Sequence, residues 1–239
     1  MGDFELVSFA SDLELARGAA TEWLATVEQA SRQGLPQFVA LSGGRIARHF
    51  FSSSAELAKS RAISLNHVHF FWADERCVPP QDPESNFALA DEFLLRPLGL
   101  PTEKIHRIHG EDQPEQAAQA AAKEICEIAP RNPENLPSLD IIFLGMGEDG
   151  HVASLFPNAP PDQITSRAVY LAVVAAKPPP HRITLSHAAI RAAREVWVLA
   201  SGPGKEQALN DSLKTDGRTP LAQVLKLRAR TRIFTDIGI

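Results

Sequence analysis

The residues best equipped for chemistry lie in one short run, Gly145-Met-Gly-Glu-Asp-Gly-His151, which gathers three glycines, two carboxylates and an imidazole. Histidine exchanges a proton near neutral pH, and a neighbouring carboxylate such as Asp149 can orient the ring and stabilise its protonated form. Glycines such as Gly147 let other groups approach the backbone closely. A lone histidine is more often a satisfied structural residue. His151, however, sits in a glycine loop directly after the most apolar run of the chain, Leu139-Asp-Ile-Ile-Phe-Leu144, and that position favours a functional role.

Two further clusters occupy comparable positions. Ser42-Gly43-Gly44-Arg45 follows the apolar stretch Gln37 to Leu41 and precedes a helical pattern, so backbone N–H groups and a helix dipole are available there to hold an anion. The same residues can equally be an ordinary tight turn. They lack the longer Walker pattern and the Rossmann spacing, which disfavours an ATP or NAD site. Asp74-Glu75-Arg76 follows an apolar run ending at Trp72. Arg76 is suited to bidentate pairing with phosphate, and the alternative is a solvated charge cluster. His67 and His69 alternate, and His106 and His109 share a turn, but neither pair has a convincing third ligand, so no metal is expected. Cys77 reads as a small buried residue rather than a nucleophile, and no Gly-x-Ser-x-Gly elbow is present.

The elements that must position these residues follow from periodicity. From Asp12 to Arg32 apolar residues recur at Leu13, Ala16, Ala20, Trp23, Val27 and Ala30, which predicts a helix with one buried face, stopped by Gly34 and Pro36. Gln37–Leu41, His67–Trp72, Leu139–Leu144, Ala168–Val174 and Glu195–Ala200 read as strands buried on both faces. Helices are expected after Gly44, over Glu84–Leu95 and Pro114–Ile128, and from near Gly204 and Thr219-Pro220. Ala73 to Pro83 reads as a polar loop, and Lys177-Pro-Pro-Pro180 as a stiff loop. The alternation predicts a three-layer α/β/α fold, with a mostly parallel, Rossmann-like sheet flanked by helices and the ligand site beyond the carboxyl ends of the strands. No domain boundary stands out, and residues 1–239 are read as a single domain.

Composition sets outer bounds. A chain of 239 residues with 44% hydrophobic side chains can bury a large core, and a net charge of −5 argues against a general nucleic-acid or anionic-membrane partner. Two cysteines do not make a disulfide framework, and there is no basic N-terminal stretch followed by an apolar core, no membrane-length apolar run and no myristoylation pattern. A reducing cytoplasm is the expected compartment, for a monomer or a small homo-oligomer.

Taken together, Ser42-Gly-Gly44, Phe71-Trp-Ala-Asp-Glu-Arg-Cys-Val78, Ser85-Asn86-Phe87, Leu144-Gly-Met-Gly-Glu-Asp-Gly-His-Val-Ala-Ser-Leu-Phe-Pro157, Arg182-Ile-Thr-Leu185 and Gly204-Lys205 resemble the 6-phosphogluconolactonases, within the superfamily that also holds glucosamine-6-phosphate isomerase. The resemblance spans most of the chain in family order. It implies hydrolysis of 6-phosphoglucono-δ-lactone without metal or organic cofactor. His151 would be the general base, with Asp149 beside it and Arg76 at the oxyanion. Ser42, Gly43, Gly44, Arg182 and Lys205 would collect around the phosphate, with Arg45, Asp74, Asn86 and Gly147 also lining the substrate. The isomerase branch carries a catalytic Glu just before the loop's proline, where this chain has Phe156. The lactonases usually continue Ser-Gly-Gly with Ser or Thr and often Pro, where this chain has Arg45-Ile46-Ala47. A sugar-phosphate isomerase and a non-catalytic sugar-phosphate sensor are the alternatives.

Overall fold

The computed structural model describes residues 4–226 and 230–238. The first part of the chain alternates β1 (Phe4–Ser8), α1 (Asp12–Arg32), β2 (Gln37–Leu41), α2 (Arg45–Ser60) and β3 (Val68–Trp72). There follow β4 (Asp74–Arg76), α3 (Asn86–Ala90), α4 (Arg96–Leu98), α5 (Pro114–Ile128) and β5 (Ile141–Gly145). The remainder comprises α6 (Pro161–Thr165), β6 (Tyr170–Val174), β7 (His181–Leu185), α7 (His187–Ala192), β8 (Glu195–Ala200), α8 (Glu206–Leu213), α9 (Pro220–Lys226) and β9 (Thr231–Thr235). Six strands form one wholly parallel sheet in the order β1-β9-β8-β5-β2-β3, flanked by helices, and β4-β7-β6 form a small antiparallel sheet.

Every residue of β2 is buried, as a central parallel strand with both faces covered requires. Around it Trp23, Phe50, Phe143 and Trp197 pack ring against ring, with centroids 4.8–5.7 Å apart. Helix α1 is capped by Ser11, whose hydroxyl accepts from the Glu14 N–H at 3.2 Å. Its buried stripe runs through Leu15, Ala16, Ala19, Trp23 and Val27. Leu13, expected in that stripe, is 60% exposed, because it lies in the first turn on the outward side.

Three expectations need correction. The segment from Ala73 is not all loop: after β3 the chain passes through Ala73 straight into β4 of the second sheet, with the Leu185 N–H donating to the Ala73 carbonyl at 2.7 Å. The strand expected over Ala168–Val174 is antiparallel and outside the main sheet. It is an edge strand of mixed burial, with Val174 70% exposed, and apolar content alone does not distinguish it from a central strand. The prolines at 178–180 belong to its connection to β7. The helix over Glu84–Leu95 starts at Asn86, capped by Ser85, and widens to a π-helical turn at Asp91–Leu95.

The histidines read in pairs divide differently. His67 precedes β3 and contacts the Val27 carbonyl, whereas His69 stacks on His106. Lys104 Nζ, His69, His106 and Glu124 form a chain of three hydrogen bonds of 2.9–3.0 Å. Burial, then the Lys104 charge and His106, push the His69 pKa down to about 4. Because the unfolded chain binds this proton near pH 6.5, His69 supports folding above that pH and loses its contribution as pH falls from 6.5 to 4. With partial solvent screening the loss is about 1 to 2 kcal/mol. Urea titrations at pH 6.5 and 4.5 should show a smaller acid loss for His69→Phe than for the wild type; equal losses would assign it to other groups.

Candidate active site

Strand β2 ends at the turn Ser42-Gly43-Gly44. Gly44 has φ 97° and ψ 175°, a backbone region open essentially only to glycine, and it begins the 16-residue helix α2 without any side-chain cap. Among the described residues, the first N–H groups of α2 therefore have no side-chain cap, and the buried Ser42 hydroxyl has no hydrogen-bond partner. A Cβ on Gly43 would fall 1.8 Å from Asn86 Oδ1, so the turn is glycine because the Asn86 amide fills the space beside it.

Strand β5 ends at Gly145, and the chain doubles back through a bridge between Met146 and Val152. The Gly147 N–H donates to the His151 carbonyl at 2.9 Å and the Gly150 N–H to the Gly147 carbonyl at 3.0 Å. A Cβ on Gly147 would lie 2.1 Å from the His151 ring. Asp149 Oδ1 sits 2.6 Å from His151 Nδ1 and also accepts the His151 N–H at 3.1 Å. Burial works against ionising Asp149, but these bonds outweigh it and hold its carboxyl below the usual range. With Nδ1 donating to the carboxylate, Nε2 remains as an acceptor.

The second sheet supplies the opposite wall. Asp74 is buried, accepting from Ser154 Oγ at 2.7 Å and Asn86 Nδ2 at 3.3 Å. Glu75 takes the N–H groups of Arg76, Asn86 and Phe87 at 2.7–2.8 Å and the Ser85 hydroxyl at 3.1 Å. Burial nevertheless pushes its pKa up to about 7 against the pull of those N–H groups. Arg76 stands directly opposite Arg182 in the β4–β7 pairing, a placement of like charges that is unfavourable unless an anion lies between them. Arg76 donates to the Glu84 carbonyl, and its buried Nε has no partner among the described residues. Arg182 donates to the Pro179 carbonyl and lies 5.7 Å above the Phe156 ring, and burial followed by Arg76 lowers its pKa.

A cleft of about 150 Å³ joins these walls. Its lining includes Ser42, Gly43, Gly44, Arg45, Asp74, Arg76, Asn86, Gly147, His151, Arg182 and Lys205. Of the residues expected from sequence, Asp149 alone is outside the lining, standing behind His151 on a neighbouring groove of about 800 Å³ that also includes Phe156. The Phe156 ring packs 5.0 Å from the His151 ring. Lys205, at the head of α8, has its pKa lowered by burial and then by Arg45. Arg45 pairs with Asp12 at 3.1 Å and lies against Gly202. Sequence reading missed Ser201, which lines the cleft and which its place at the carboxyl end of β8 could have disclosed. Thr219 caps α9, as its place before Pro220 predicts, and its side chain also occupies the space a Cβ on Gly150 would need, a contact with no local signal. Cys77, expected to be buried, is half-buried and lies outside the cleft lining, and burial raises its thiol pKa to about 11.

A buried parallel sheet, two glycine turns at strand ends and a cationic cleft holding a carboxylate-bound imidazole define a small-molecule enzyme acting on an anionic substrate. The chain belongs to the family of glucosamine-6-phosphate isomerases and 6-phosphogluconolactonases, whose model matches residues 10–233. It is 37% identical to the 6-phosphogluconolactonase of Streptomyces coelicolor, over 93% of this chain and 88% of that one. It is 32% identical to that of Haemophilus influenzae, over 83% and 82%. The solved 6-phosphogluconolactonase of Trypanosoma brucei superposes with a TM-score of 0.86 at 25% identity, covering 98% and 96% of the two chains.

The contact between Gly147 and His151 gives a direct test. The Gly147→Ala chain should fold with stability within about 1 kcal/mol of the parent, since the added methyl meets only the His151 side chain and no backbone. The ring must then leave its place, and kcat should fall about 100-fold. An unchanged kcat would show that ring position is not limiting.

Proposed function

We propose that this chain hydrolyses 6-phosphoglucono-δ-lactone to 6-phosphogluconate, the reaction its relatives are named for, and that residues 1–239 act in it as one domain. The observation that carries the reading is the His151–Asp149 pair, whose imidazole lines a cleft bordered by Arg76, Arg182, Lys205 and the α2 N-terminus. Nε2 accepts a proton from water as its oxygen attacks C1, and Asp149 stabilises the resulting imidazolium. Arg76 faces the developing oxyanion. The tetrahedral intermediate collapses with cleavage of the bond between C1 and the ring oxygen, and His151 returns its proton to that leaving oxygen. The new carboxylic acid ionises into solvent.

The phosphate is assigned to the Ser42-Gly43-Gly44 turn with Lys205, Arg45 and Arg182, where N–H groups, the helix dipole and cations converge. Asp74 and Asn86 face the sugar hydroxyls. Acyl transfer to water calls for no redox group, and the reading invokes no metal or organic cofactor. Phe156 supports hydrolysis over isomerisation: it puts an apolar ring against His151 where the isomerase branch has an acid–base carboxylate. Among the described residues no helix is long and apolar enough to cross a membrane, and Cys77 and Cys126 are both free thiols, which fits a reducing cytoplasm.

A coupled assay that generates the lactone in situ should show turnover above spontaneous ring opening, and the same preparation should release no ammonia from glucosamine 6-phosphate. His151→Ala should lower the enzymatic increment by about 100-fold or more. Near-parental turnover in that variant would remove His151 as the base, and ammonia release without lactone hydrolysis would overturn the assignment.

A further inference from the structure

On the far side of the Gly44 turn lies a second cavity of about 370 Å³, with Arg45, Arg48, Arg76, Ser85 and Asn86 in its wall. Gly44, Arg45, Arg76 and Asn86 belong to both this cavity and the cleft, so the two compartments adjoin. Three arginines converge here in a chain whose net charge is −5. Arg45 is partly neutralised by Asp12 and Arg76 also serves the cleft, which leaves Arg48 as the cation to explain. Arg48 is held with its guanidinium 4.5 Å above the Phe93 ring and has no carboxylate partner among the described residues. Arg76 keeps its buried Nε unpaired among the described residues. Glu84 supplies the one carboxylate of this wall, and Arg76 takes its backbone carbonyl. The first turn of α2, which carries Arg45 and Arg48, has no acidic residue. Arginines held by ring stacking and backbone contacts, rather than by carboxylates, retain their charge for a mobile anion.

We propose that this cavity is a second anion subsite. It takes a phosphoryl group beyond the one assigned to the Ser42 turn, so that the joined compartments accept a ligand bearing a diphosphate. The inference rests on the placement of the substrate phosphate at that turn. A diphosphate compound bridging both compartments competes with the sugar phosphate, and Arg48 sets the preference for two phosphoryl groups over one.

Calorimetric titration of the full chain with inorganic phosphate and with pyrophosphate tests this. One charge-assisted contact corresponds to about ten-fold in affinity, so pyrophosphate should bind about ten-fold or more tighter than phosphate to the parent chain. Arg48→Gln, which removes the charge above Phe93, should abolish most of that ratio while leaving phosphate affinity and lactone kcat/KM within about two-fold, and Arg48→Lys, which keeps the charge but not the planar fork, should retain part of it. A pyrophosphate to phosphate ratio near one in the parent, or one unchanged by Arg48→Gln, overturns the second subsite. Phosphate that fails to compete with 6-phosphogluconate removes the Ser42 placement instead, and the Arg48 dependence of pyrophosphate binding still decides the subsite.

Discussion

A carboxyl group withdrawn from water has to be met by donors, and Glu75 is met by four of them: three backbone N–H groups and a hydroxyl. Those donors come from β4 itself and from the start of α3, so one side chain fixes the geometry between two elements that share no ladder. Everything on that wall of the cleft follows. Asn86 is set beside Gly43, Asp74 is presented to Ser154, and Arg76 is aimed along the β4–β7 pairing. A charge-bearing residue at the rim is thus structural, while its neighbours on either side, Asp74 and Arg76, line the cleft.

What could be read from sequence was what depends on neighbours along the chain. The limits of α1, β2, α5 and β8 follow from periodicity and capping, and the glycines after β2 and β5 mark turns at strand ends, although a glycine pair alone does not tell a binding turn from an ordinary one. Asp149 and His151 stand two residues apart, so the sequence allows their pairing without showing it, and the structure makes it at 2.6 Å. Resemblance then added Arg182 and Lys205, whose local sequence says little by itself.

The unread part depends on contacts made across the fold. The apolar run at Tyr170–Val174 resembles a central strand, yet it pairs at the edge of a second sheet, since only its partner β7 determines which faces are covered. Asp74-Glu75-Arg76 looked like a charged loop, because a three-residue strand has no period to detect. The chain Lys104–His69–His106–Glu124 joins β3, α5 and the connection that carries both Lys104 and His106, and no spacing rule links these three segments. Phe156 was noticed as a missing carboxylate; the fold gives its ring a positive use, packed between His151 and Arg182.

The facing pair of Arg76 and Arg182 ties occupancy of the cleft to the survival of the fold. Two guanidinium groups held opposite each other repel, and an anion between them replaces repulsion by attraction in the folded state alone. Any such ligand at 100 times its dissociation constant adds about 2.7 kcal/mol to folding stability. An anion in the cleft is thus a folding ligand as well as a substrate, since it binds a pair of cations that only the folded chain brings together.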